Sequence, residues 1–348
     1  MRPRLLLGSD GAVLTTRRLT ADDPLLRDWH EAVRDAHLAD REPAWWESWE
    51  ATRTYLARPA DRTAYVIVAA LDGGVVVGGA EVSLPLVDDT DTLSVVLGVR
   101  PVHRRRGAGD LVAAEVRAVA REHGRTVAQT EVYVPAGVAF EDWCGGAFAR
   151  RHGLGSVSAE DRLLVDLPYD PDRLGRLTDA AQVPEGYRVV SFTGPCPDDL
   201  APEWARMRTQ MNEDVPTGEL TRSASVVDVE RIRTSDVRMA EQGWTKVRSV
   251  VLTADGGGAG YTELFVSAHD PDFVLQDDTL VDRAHRGRGL GAALKAANLR
   301  QLASLGERVA GRRWLQTHTE QGNVAMQRTN ERFGFRRVDV LHECEGAV

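Results

Sequence analysis

Two short stretches of this chain carry residues that could bind an anion: HRGRGLGAALK, from His285 to Lys295, and HRRRGAGDLVA, from His103 to Ala113. Glycines at 287, 289 and 291 let successive backbone N–H groups turn toward one point without Cβ clashes. Groups arranged in that way form an anion-binding nest. Each stretch runs into a helical pattern, whose N-terminus adds unpaired donors and a positive dipole end. Arg286 and Arg288 in one, and Arg104, Arg105 and Arg106 in the other, add fixed charge suited to phosphate oxygens. The ligand these residues suit is a phosphate or pyrophosphate. A Walker loop needs GxxxxGK[ST], and a dinucleotide fingerprint needs GxGxxG. Neither fits, because Gly287-x-Gly289-x-Gly291 is followed by alanine.

The elements around the loops repeat as well. The two histidines are 285 − 103 = 182 residues apart in a chain of 348. TAYVIVAAL (63–71) reads as a strand, Asp72-Gly73 as a hairpin turn and VVVGGAEVSL as its return. TKVRSVVLT (245–253), Asp255-Gly256 and GYTELFVS repeat that order, and Glu81 and Glu263 share the 182 offset. LSVVLGV (93–99) and DDTLV (277–281) lead into the loops as strands. After each loop, apolar residues three and four apart mark a helix that ends on glycine. A strand (126–134 or 312–319) and a short glycine-closed helix follow. LPYDPDRLGRLTDAAQVPEGY (167–187) is rich in proline, aspartate and glycine, a linker signature. The expected organisation is a first domain over 1–167, a linker over 168–185 and a second domain over 186–348.

Composition narrows the class. The chain is 43% hydrophobic and 27% charged, as ordinary globular proteins are. No apolar run approaches the ~18 residues of a membrane span. MRPRLLLGSDGAV is too short in leucines for a secretory leader. Cys144, Cys196 and Cys344 suit neither a disulfide framework nor a metal site, so a cytoplasmic location and no metal are expected. The net charge of −9 argues against a nucleic-acid partner.

Arg286-x-x-Gly289-x-Gly291 and Arg104-x-x-Gly107-x-Gly109, each after a strand ending TLV or LGV, resemble the acyl-CoA loop of the GCN5-related N-acetyltransferase (GNAT) superfamily. The resemblance covers nearly the whole chain as a tandem pair, similar to actinobacterial tandem GNAT proteins that include the mycothiol synthase type. It implies an α/β fold of two tandem domains, each a splayed mixed β-sheet flanked by helices. It implies acetyl-CoA as co-substrate, a small-molecule amine as acceptor, direct attack on the thioester, and a monomer or homodimer. Carried over residue by residue, the cofactor contacts are Leu280, Val281, Arg286, Gly287, Arg288, Gly289, Leu290 and Gly291 in the second half. In the first half they are Val99, Arg104, Arg105, Arg106, Gly107, Ala108 and Gly109.

The halves differ. Asn323, Met326 and Asn330 lie on one helical face. They resemble the family's asparagine-to-tyrosine helix, with Asn330 where tyrosine is usual; Asn323 is also a natural helix cap. In the first half those positions hold Asp142 and Ala149. The second half is therefore expected to be catalytic and the first degenerate. An amine must be deprotonated to attack, and a carboxylate of raised pKa suits that task. Glu263 is the first candidate, Asp278 the second and His318 the third. Trp45, Trp46 and Trp49 are either a ligand wall or a packed helix. Asn212, Glu213, Asp214 and Glu219 are either an acidic rim or a solvated loop. Alternatives for the whole chain are acetylation of a small thiol's cysteinyl amine, a protein lysine acetyltransferase, and a CoA-binding scaffold without turnover.

Overall fold

A computed structural model describes residues 6–7, 13–41, 43–215, 218 and 220–348. In chain order the first elements are β1 (Leu6–Leu7), β2 (Val13–Leu19), α1 (Leu26–Leu38), α2 (Trp49–Ala57), β3 (Thr63–Asp72), β4 (Val75–Pro85), β5 (Thr92–Val99), α3 (Ala108–Glu122), β6 (Val127–Pro135), α4 (Cys144–Arg151) and β7 (Gly155–Asp166). Then come α5 (Pro171–Ala180), β8 (Tyr187–Thr193), α6 (Ala201–Asp214), α7 (Val229–Glu241), β9 (Trp244–Thr253), β10 (Gly258–Ser267), β11 (Phe273–Val281), α8 (Leu290–Ala303), β12 (Trp314–Glu320), α9 (Val324–Arg332) and β13 (Arg336–Ala347).

The chain forms two compact units. The first holds Met1–Ala159, Thr217–Ser223 and Asp339–Val348; the second holds Glu160–Pro216 and Ala224–Val338. Each is a mixed sheet flanked by helices, as the resemblance implies. In the first unit β2, β3, β4 and β5 form an antiparallel run, and β6 joins β5 in parallel. Asp339–Ala347 of β13 then pairs antiparallel with Val127–Pro135. The second unit repeats this from β8 to β12, and Glu160–Asp166 of β7 closes it against Trp314–Glu320. Strand identity follows from side chains: β3 is β-branched where it crosses the core (Val66, Ile67, Val68), and β-branched residues pack well on a pleated surface. Gly73 and Gly74, both at positive φ, make its turn.

Two details shape the site. β5 and β6 pair only over Thr92–Ser94 and Val127–Gln129, then part. β11 and β12 pair only over Phe273–Leu275 and Trp314–Gln316. Each unit therefore has a splay, with a loop-to-helix junction at its open end. In the second unit a bulge also sets both Asp277 and Asp278 against Glu263, whereas β4 and β5 stay in register. Residues 168–185, read from sequence as a linker, contain α5. Its Leu174 and Leu177 pack on the second unit's core with Phe333 and Phe335. Ten of the 14 residues of α8 are buried, so that helix is covered all round.

Candidate active site

The two loops share one backbone. Arg105 and Gly107 have φ of 64° and 92°, and their counterparts Gly287 and Gly289 both have 77°. Arg104 Nε donates to the Val99 carbonyl at 3.1 Å, and Arg286 Nε to the Val281 carbonyl at 3.2 Å. α3 and α8 begin at Ala108 and Leu290 without a side-chain cap, which leaves their first N–H groups to a ligand.

The charges around the loops differ. Arg104 otherwise meets neutral acceptors, the Ala36 carbonyl at 3.1 Å and Cys144 Sγ at 3.6 Å. Arg286 donates to the Asp214 carboxylate at 2.5 Å, which also takes Arg283 at 2.7 Å. Burial pushes the Asp214 carboxyl up, but Gln210 and the two arginines more than reverse it and hold it low. Part of the second loop's positive charge is thus neutralised within its own unit.

The splays differ too. Between β5, β6, α3 and α4 the first unit has a cleft of about 670 Å³, reached by Val99, Arg104, Arg105, Gly107 and Gly109. Its wall includes Ala113 of α3 and Leu154. In the repeat the counterpart of Ala113 is Lys295 (295 − 182 = 113). Lys295 is buried, its Nζ lies 5.6 Å from the centroid of Phe335, and burial pushes its pKa down to about 7. A lysine side chain therefore stands where the first unit keeps only a methyl group.

The expected bases can now be placed. Burial pushes the Glu263 carboxyl up, but Arg248 at 2.9 Å, Arg208 at 3.1 Å and nearby Lys246 overcome it and hold Glu263 ionised. The raised proton affinity expected of Glu263 is thus reversed, because two guanidinium groups reach it. Asp278 accepts from Tyr261 at 2.9 Å and from Arg208; burial outweighs Arg208 and raises it. Beside it, burial and the neighbouring Asp278 and Glu263 raise Asp277 to about 7. Arg208 is the hub of this cluster. Trp29 and Trp204 match at an offset of 175, so Arg208 replaces Val33 (208 − 175 = 33).

Glu81, the counterpart of Glu263, has no arginine partner among the described residues. It accepts from Tyr55 at 2.5 Å, and burial raises its carboxyl. Glu131 lines the first cleft. Solvent reaches it, but the cleft walls and Glu343, directly across the β6–β13 ladder, raise its carboxyl against a pull from Arg222. Sequence reasoning missed Glu131. A signal existed: Gln129-Thr130 and Gln316-Thr317 align at an offset of 187, which pairs Glu131 with His318 (318 − 187 = 131). His318 is half-buried on β12.

The remaining candidates resolve locally. Asn323 caps α9, accepting from Met326 N at 3.1 Å. Asn330 is buried and donates to Thr319 at 2.8 Å. Ala149 is buried and lines the first cleft. Trp46 and Trp49 pack on the core of Leu19, Leu26 and Trp29. Asn212 holds Ser225, and Glu213 and Asp214 hold Arg283; Glu219 lies outside the described residues. No described helix is long and apolar enough to cross a membrane.

Comparison with known proteins fits this geometry. Residues 26–145 match the acetyltransferase (GNAT) family model. A tandem GNAT protein from the clavulanic acid biosynthesis pathway superposes with a TM-score of 0.79 at 27% identity, covering 96% of this chain and 98% of that one. The chain therefore carries a GNAT-family acetyltransferase domain and has the fold of a tandem GNAT protein. Mycothiol acetyltransferase of Mycobacterium sp. (strain JLS) is 28% identical over 282 residues, 80% of this chain and 81% of that protein. The enzyme of the same name from Rhodococcus erythropolis is 28% identical over 280 residues, covering 78% and 81%. A GCN5-related N-acetyltransferase from Sphaerobacter thermophilus shares the fold, with a TM-score of 0.61 at 18% identity over 96% and 95% of the two chains.

Proposed function

We propose that this tandem GNAT protein moves an acetyl group from acetyl-CoA to the primary amine of a small molecule, and that transfer takes place in the cleft of the first unit. One observation carries the reading: an open cleft of about 670 Å³ ends at a loop whose Arg104 is matched by no carboxylate among the described residues. The pantetheine arm fits along β5 beyond Val95, whose carbonyl accepts from Thr130 of β6 at 2.7 Å, where the two strands have parted. The pyrophosphate fits the N–H groups at the start of α3, among Arg104, Arg105 and Arg106. Val99, Gly107, Ala108 and Gly109 complete the cofactor set.

In this reading Glu131 takes the proton from the ammonium. The amine nitrogen attacks the thioester carbonyl, the carbon–sulfur bond breaks, and CoA leaves as a thiolate that solvent protonates, since Ala149 offers no acid. Most of the acceleration comes from holding the two substrates together. Relatives named for mycothiol make a small thiol's cysteinyl amine one acceptor to try. A second reading keeps transfer in the second unit, with Leu280, Val281, Arg286, Gly287, Arg288, Gly289, Leu290, Gly291, Asn323 and Asn330 around the cofactor. The raised carboxyl of Asp278 favours it. Release of CoA thiol is followed with cysteine-bearing amines, amino sugars and diamines. Amine-dependent release that is lost in Arg105→Glu/Arg106→Glu supports the first reading; loss only in Arg286→Glu/Arg288→Glu supports the second. No release with any amine removes the enzymatic reading.

A further inference from the structure

We propose that Asp339, in the last strand of the chain, is a positioning residue of the first unit's cleft, acting through Arg41 on two rings of the cleft wall, His37 and Tyr133. The inference rests on the reading that puts acyl transfer in that cleft.

Arg41 follows the C-terminal end of α1. Its guanidinium donates to the Asp339 carboxylate at 2.8 Å, and both side chains are only 4% exposed. The same guanidinium donates to the His37 carbonyl at 2.9 Å and to His37 Nε2 at 3.2 Å. It also lies 4.3 Å from the centroid of Tyr133. The rings of His37 and Tyr133 meet edge to face, 5.4 Å apart. His37, Arg41 and Tyr133 all line the cleft, as does Glu131 on the same strand as Tyr133.

The chemistry of the donors fixes more than position. A guanidinium only donates, so its bond to Nε2 uses that nitrogen's lone pair. The proton of His37 is then on Nδ1. Arg41 sets the tautomer, and Asp339 supplies the buried counter-charge that keeps Arg41 in place. Removing one partner of a buried pair strands the other, whereas replacing both with apolar residues is often neutral. That difference separates positioning from plain stability. The pair also gives the strand from the far end of the sequence, which pairs with β6 over Asp339–Ala347, a part in the first unit's site.

The test compares the wild-type full-length chain with Asp339→Asn and with Arg41→Met/Asp339→Leu. Ring 15N spectra of histidine-labelled protein report the tautomer of His37, assigned with His37→Asn. Kinetics use glucosamine, putrescine and tyramine. The double variant is expected to unfold within a few degrees of wild type. Acetyl-CoA affinity is expected to stay within about twofold, because the phosphate loop is untouched. His37 is expected to carry its proton on Nδ1 in wild type and to lose that preference in both variants. For whichever of the three amines is acetylated, KM should rise at least about tenfold in both variants, with kcat changed less than about threefold. A double variant that keeps the wild-type ring signals makes the pair purely structural and overturns the proposal, whether or not any of the three amines reacts. Wild-type KM in that variant does the same. If the ring signals shift as expected but acetyl-CoA binds only in the second unit, it is the siting of catalysis that fails.

Discussion

A primary amine is protonated at neutral pH and must lose that proton before it can attack a thioester. Glu131 faces the cleft with a carboxyl raised by the surrounding walls and by Glu343. Glu131→Gln is therefore expected to lower kcat by about 10²–10⁴-fold with acetyl-CoA affinity unchanged, as removal of a general base does. Glu131 accepts protons only when ionised, so its limb of the wild-type profile rises with pH, with a midpoint above the usual carboxylate range. Rate profiles of the two proteins check this: the limb should vanish in the glutamine variant. A second residue-scale prediction concerns Arg105, held at φ 64° where its counterpart is Gly287. A left-handed non-glycine residue costs about 1–2 kcal/mol. Arg105→Gly should leave the melting temperature equal or higher and weaken acetyl-CoA by about 3–10-fold, up to roughly 1.4 kcal/mol. At this scale the sequence was partly legible. The loop residues announced themselves by glycine spacing and repetition. The pairing of Glu263 with Arg208 and Arg248 did not, because Arg208 lies 55 residues away and only the packing of α6 on β10 brings it there.

Among elements, α8 and β13 carry the contrast between the halves. α8 buries Lys295, and Lys295 makes no hydrogen bond among the described residues. Its folded pKa of about 7 lies below the ordinary lysine value of 10.5. Between those pH values the unfolded chain holds a proton that the folded chain does not. Stability should therefore rise with pH from about 7 to 10.5. Lys295→Met should remove that slope and stabilise the protein at pH 7, by an amount on the order of a few kcal/mol. Denaturant unfolding at several pH values measures both. The contrast of Lys295 with Ala113 was visible in the aligned repeats, but its meaning needed the cleft that Ala113 lines. The elements themselves were legible because periodicity and turn residues are local. The partner of β13 was not, because strand pairing between residues about 200 positions apart leaves no local trace; Glu343, for example, faces Glu131.

The molecule as a whole is a repeat in which neither half contains all of its own unit. The first unit includes Asp339–Val348, and the second includes Glu160–Asp166. A fragment ending at residue 167 should therefore fail to fold alone, since β6 would present an unpaired edge, and should recover when co-expressed with residues 168–348. Circular dichroism and gel filtration decide this, and a stable, monomeric 1–167 would contradict it. Transfer in the first unit alone implies one acetyl-CoA per chain, although the loop occurs twice. Calorimetric titration of acetyl-CoA into wild type, Arg105→Glu/Arg106→Glu and Arg286→Glu/Arg288→Glu tests that most directly. One site per chain is expected, with affinity reduced at least about tenfold by reversing the first loop and kept within about twofold when the second is reversed. Two sites in wild type, or binding abolished by the second-loop variant alone, would contradict it.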